Sequence, residues 1–158
     1  MIAILFCCTG NICRSPTAEA ILRAKLAAAG LAAEITVDSA GTHGYHVGEA
    51  PDVRSTAAAL KRGYDLSGQI ARQVCRDDFK HFDLILAADV VHLVELKTMV
   101  RPGDRARLAL MLDSLDPPGQ PVPDPYYGGP DGFEHVLDLL EAACDAWIAR
   151  WRAEAGVR

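Results

Sequence analysis

Cys8 and Arg14 flank five residues in "CTGNICR", a spacing that lets a thiol and a guanidinium close on one tetrahedral oxyanion if the chain between them forms a loop. Arg14 can give two parallel hydrogen bonds to two oxygens of such an anion. Backbone N–H groups of a loop entering a helix, with the positive end of the helix dipole, favour the same anion. Those surroundings bring a cysteine thiol from about 8.5 to roughly 3.5–7.5, so it becomes a nucleophilic thiolate near neutral pH. Gly10 allows close backbone approach, and Asn11 tolerates a left-handed backbone better than most side chains. Ser15 is placed to donate to the sulfur. The glycine is followed by no Walker lysine and there is no G-x-G-x-x-G, so a nucleotide cradle is a poor reading.

The elements that would hold this loop are legible around it. "IAILF" at 2–6 reads as a central strand buried on both faces, followed by a helix with Pro16 in its first position and Gly30 past its end. "EITV" at 34–37, "FDLILAA" near 82–88 and "RLALML" near 107–112 read as further strands. Helices are expected from Val53 to Gly63, from near Asp89, and on a stripe of Phe133, Val136, Leu137, Leu140, Cys144, Trp147 and Trp151. Alternating strands and helices predict one α/β domain over 1–158 with a parallel sheet and helices on both faces; four strands in flavodoxin-like order 2-1-3-4 are expected. The ligand site then lies beyond the carboxyl ends of the strands, where two long polar loops, 38–52 and 116–132, also belong.

Composition narrows the function. The 158 residues are 50% apolar and 23% charged, with a formal net charge of −5, which argues against a broad nucleic-acid surface or an anionic membrane as partner. The apolar start lacks a basic region and a cleavage pattern, so a cytoplasmic protein is expected. Five cysteines, three of them between positions 7 and 13, read as reduced thiols rather than a disulfide framework. The five histidines show no metal-ligand spacing, and neither metal nor cofactor is implied.

"CTGNICRSP" at 8–16 closely resembles the signature loop of the low-molecular-weight protein tyrosine phosphatases, and "DPYYGG" at 124–129 resembles the loop that carries that family's general acid. "DSAGTHGYHVG", "ARQV" and "FDLILAAD" extend the resemblance over essentially the whole chain. It implies hydrolysis of phosphotyrosine in proteins through a phosphocysteine on Cys8. Arg14 and the loop residues Thr9, Gly10, Asn11, Ile12, Cys13 and Ser15 would bind phosphate, and Asp124 would act as acid and then base. Tyr126, Tyr127 and Tyr45 would wall an aromatic slot, with surface tyrosines that only fasten their loops the alternative for Tyr127 and Tyr45. The alternative for Asp124 is an ordinary Asp-Pro turn. The resemblance also gives Cys13 as a thiol able to capture an oxidised Cys8, with loop packing the alternative.

In the family, the signature asparagine is held by two serines, matched by Ser15 and Ser39, and by a histidine where this chain has Gln69. Glutamine can donate and accept, so the network is expected in altered form. Arg72 and Asp89 read as architectural or loop-anchoring, and His43 and His46 as tuning peptide preference. Phosphotyrosine proteins and a cognate tyrosine kinase are the implied partners. Three alternatives stay in view. Arsenate reductases of this fold need redox cysteines after the third strand, and "LILAADVVHL" has none. Protein arginine phosphatases tend to place threonine where Ile12 stands. A non-catalytic phosphotyrosine-binding module would need neither Cys8 nor Asp124.

Overall fold

The computed structural model describes residues 2–154. Strand β1 (Ile2–Cys8) leads into α1 (Arg14–Ala28), β2 (Ile35–Gly41), α2 (Val53–Lys61) and the single turn α3 (Asp78–His81). Then come β3 (Leu84–Ala87), α4 (Val90–Lys97), β4 (Arg107–Leu110), a 3-10 turn over Met111–Ser114, and α5 (Pro130–Glu154). All pairings are parallel and the order is β2-β1-β3-β4, the predicted topology.

β1 is apolar throughout because it lies between two helical layers. Ile4, Phe6 and Cys8 point into the core formed with α1 and α5, whereas Ala3, Leu5 and Cys7 point into the core that includes Phe79 and Leu96. The two-residue period of a strand thus puts Cys8 and Cys7 on opposite faces. Trp147, on the predicted stripe of α5, donates to the Met111 carbonyl at 2.8 Å and buries the rest of its ring.

Several boundaries differ from the sequence reading. β1 continues two residues beyond Phe6, and β2 four beyond Val37, because Phe6 pairs with Ser39, Cys7 with Ala40 and Cys8 with Gly41. Part of the expected loop at 38–52 is therefore strand. β4 stops at Leu110, where the chain tightens into the 3-10 turn. α1 starts at Arg14 with Cys13 as its N-cap, so Pro16 is third in the helix rather than first. Proline is still tolerated there, since a first-turn N–H has no partner within the helix. Gly30 has φ +73 just past the helix, a left-handed end that glycine adopts without strain.

Candidate active site

The loop between β1 and α1 is held in shape by Asn11, whose φ of +60 is the single left-handed conformation of a non-glycine among the described residues. Its side chain accounts for that strain. Nδ2 donates to Ser15 Oγ at 2.8 Å and to Ser39 Oγ at 3.0 Å, and Oδ1 accepts from the Arg72 backbone N–H at 3.0 Å. Ser39 passes its own hydrogen to Glu19 Oε1 at 2.7 Å. Burial raises the pKa of the Glu19 carboxyl. Because Ser15 Oγ accepts from Asn11, its hydrogen is available to Cys8 Sγ, 3.0 Å away.

Gln69 is not part of that network. Its amide donates to the Pro16 carbonyl at 3.0 Å, and the third bond to Asn11 comes from the Arg72 backbone instead. Gln69 thus supports the loop indirectly, through the first turn of α1. The Arg72 side chain bridges Asp38 and Asp78, which fixes the segment whose N–H meets Asn11.

β2 closes the other side of the loop. Thr42 N–H donates to the Cys8 carbonyl at 2.8 Å and His43 N–H to the Thr9 carbonyl at 3.0 Å. Gly41 is required by this proximity, since a Cβ there would sit 2.6 Å from the Thr9 carbonyl oxygen. A Cβ on Gly10 would instead meet the His46 ring at 2.7 Å.

Arg14 is buried, and its guanidinium joins the signature loop to the loop before α5. Nη1 donates to the Val122 carbonyl at 3.0 Å, and Nη2 lies 3.6 Å from Asp124 Oδ2. Asp124 is turned by its own backbone, its Oδ1 accepting from Tyr126 N–H at 3.0 Å, and its side chain remains 42% exposed. Arg54 fastens this loop from α2 by donating to the Tyr126 carbonyl at 2.9 Å, by lying over the Tyr126 ring, and by pairing with Asp52. Asp52 caps α2 and reaches the signature loop too, through its N–H to the Ile12 carbonyl at 2.8 Å.

These contacts enclose a cleft of about 230 Å³ lined by Cys8, Thr9, Gly10, Ile12, Cys13, Arg14, Tyr45, His46, Asp124, Tyr126 and Tyr127. Of the residues expected from sequence, Asn11, Ser15, Ser39 and Gln69 lie behind the cleft rather than on its wall. Tyr45 and Tyr127 are largely exposed, and Tyr126, 37% exposed, meets the Tyr127 ring edge-on. Tyr45 stacks flat on His43, whose Nε2 faces Glu95 at 3.2 Å. All five cysteines are thiols. Burial pushes Cys13 and Cys144 up to about 12, and raises Cys7 well above the ordinary range.

Two contributors were not legible as site residues. Arg54 reads as an ordinary helix charge. His92 lies under Thr9, its Nε2 at 2.7 Å from Thr9 Oγ1. The signal for His92 was its place three residues after the helix-capping Asp89. No group of three or more metal-ligating side chains occurs among the described residues, and none of their helices is long and apolar enough to cross a membrane.

A loop that runs into a helix N-terminus with a thiol and an arginine at its two ends, and a carboxylate from a second loop, meet in one cleft on an α/β fold. The family model described as low molecular weight phosphotyrosine protein phosphatase matches residues 3–156, and the chain belongs to that family. It is similar to the low molecular weight protein-tyrosine-phosphatase of Streptomyces coelicolor, at 43% identity over 96% of this chain and 94% of the relative. The crystal structure of a protein tyrosine phosphatase from Entamoeba histolytica, with Hepes in its active site, superposes with a TM-score of 0.90 at 39% identity, covering 99% of both chains. A Drosophila arginine phosphatase superposes with a TM-score of 0.87 at 29% identity, covering 94% of this chain and 97% of the other.

Proposed function

We propose that this protein hydrolyses phosphotyrosine in proteins, as a single catalytic domain acting without a metal or cofactor. The observation that carries the reading is the meeting in one aromatic-walled cleft of Cys8, with Ser15 3.0 Å from its sulfur, and Arg14, with Asp124 3.6 Å from its guanidinium. The Cys8 thiolate attacks phosphorus while Arg14 and the loop amides hold the equatorial oxygens. Asp124 protonates the departing phenolate, leaving a phosphocysteine. The Asp124 carboxylate then takes a proton from the water that attacks the phosphocysteine, and the Ser15 hydroxyl stabilises the returning thiolate.

Tyr45, Tyr126 and Tyr127 rise around the mouth of the cleft and suit an aryl ester by stacking. Ile12 on the wall disfavours the wider, branched phosphoguanidinium. The substrates proposed are cytoplasmic phosphotyrosine proteins, with a cognate tyrosine kinase as the opposing activity.

The test is hydrolysis of p-nitrophenyl phosphate, a phosphotyrosine peptide and phosphoarginine, with reductant and chelator present. Aryl substrates are expected to turn over, Cys8→Ser to abolish turnover, and Asp124→Ala to slow it by about 10²–10⁴, the usual worth of a positioned acid. Preference for phosphoarginine would overturn the substrate assignment. Phosphopeptide binding by the folded parent without any turnover would overturn the catalytic one.

A further inference from the structure

His92 is the third residue of α4 and is almost wholly buried, yet it faces the signature loop across the sheet end. Its ring nitrogens have different partners. Nδ1 accepts from the Asp89 backbone N–H at 3.1 Å, completing the cap of α4. That bond places the ring hydrogen on Nε2, which donates to Thr9 Oγ1 at 2.7 Å. Burial and then the Arg14 charge push the pKa of His92 down to about 4, against the opposing pull of Glu95, Asp89 and Asp124. The ring is therefore neutral, with one tautomer, at neutral pH.

Thr9 directly follows the nucleophile and lines the cleft. Its carbonyl is taken by His43 N–H and its hydroxyl by His92. We infer that His92 is a positioning residue for the oxyanion loop, holding it at Thr9 from the β3–α4 side as the Ser15, Ser39 and Arg72 contacts hold it at Asn11. The two clamps fix both ends of the short segment Thr9–Asn11, whose amides must converge on an anion before it arrives. Preorganised donors stabilise a developing charge because they need not reorient during reaction. The inference rests on the phosphatase reading.

The experiment compares the parent with His92→Asn, His92→Gln, Thr9→Val and the double variant His92→Asn/Thr9→Val. It measures the inhibition constant of inorganic phosphate, kcat and KM for p-nitrophenyl phosphate, and thermal unfolding. Asparagine keeps an acceptor for the Asp89 N–H but is too short to reach Thr9. Glutamine places an amide donor near the position of Nε2. His92→Asn and Thr9→Val are each expected to weaken phosphate by about tenfold, the order of one lost hydrogen bond. The double variant should be no weaker than the worse single one, and His92→Gln should recover phosphate binding to within about threefold.

Parent-like phosphate inhibition in His92→Asn, losses that multiply in the double variant, or a His92→Gln as impaired as His92→Asn would each overturn the inference. So would a lowered unfolding temperature with unchanged phosphate inhibition, since that marks His92 as a helix cap alone. A folded parent that neither turns over substrate nor binds phosphate would instead defeat the phosphatase reading and this inference with it.

Discussion

Replacing Gly41 by alanine tests whether a residue outside the signature loop controls it. The added Cβ would lie 2.6 Å from the Thr9 carbonyl oxygen, 3.0 Å from the His43 carbonyl oxygen and 3.1 Å from the Gly10 carbonyl carbon, all backbone atoms. Ordinary contact begins at 3.4 Å, so the Thr9 carbonyl oxygen must recede by about 0.8 Å and the Gly10 carbonyl carbon by about 0.3 Å. No flexible side chain can absorb that movement. Overpacking of this kind costs about 1–3 kcal/mol, and in a chain of this length each kcal/mol lowers Tm by about 2–4 °C. The displaced carbonyl belongs to the residue after Cys8, and a misplacement approaching 1 Å at a reacting centre costs on the order of 10²-fold in rate. Gly41→Ala should therefore lose kcat/KM on p-nitrophenyl phosphate by about that factor while remaining folded by circular dichroism. A variant with the parent's Tm and kcat/KM would refute the claim that backbone contact between β2 and the loop sets the site's geometry.

Asn11→Ala should unfold earlier than Asn11→Gly, and both earlier than the parent by thermal melts. Both lose the bonds to Ser15, Ser39 and Arg72, but only alanine also bears the left-handed strain of about 1–3 kcal/mol. Stability should fall as pH drops from about 6.5 to about 4. Across that interval the unfolded chain protonates its histidine at position 92 while the folded one, with a pKa of about 4, does not; urea unfolding at stepped pH should show this slope flattened in His92→Gln. Arg54→Ala should raise KM for aryl phosphates several-fold with little change in Tm, because Arg54 is solvent-exposed but holds the carbonyl and ring of Tyr126; steady-state kinetics beside a melt would check both halves.

How much of this was legible in the amino-acid order depends on the range of the interactions. The alternating α/β pattern and its parallel sheet followed from local signals: apolar runs of strand length, helical spacing, and Gly30 and Gly63 at helix ends. Cys8, Arg14 and Asp124 stood out because their motifs are short strings. Boundaries were less legible, since β2 persists to Gly41 only because Cys8 lies opposite it to pair with. The asparagine network was half legible: Ser15 and Ser39 were foreseen, while the third bond comes from the Arg72 backbone, which carries no side-chain signature, and Gln69 turns to Pro16.

What the sequence by itself determined is the class of fold and the chemistry available, because side-chain types and periodic burial are properties of single residues and their near neighbours. Only the tertiary structure decided which groups hold that chemistry in place. His92 meets Thr9 across 83 positions and Arg14 meets Val122 across 108. Contacts so distant in sequence leave no local pattern, and they exist only once the sheet has brought the ends of its strands together.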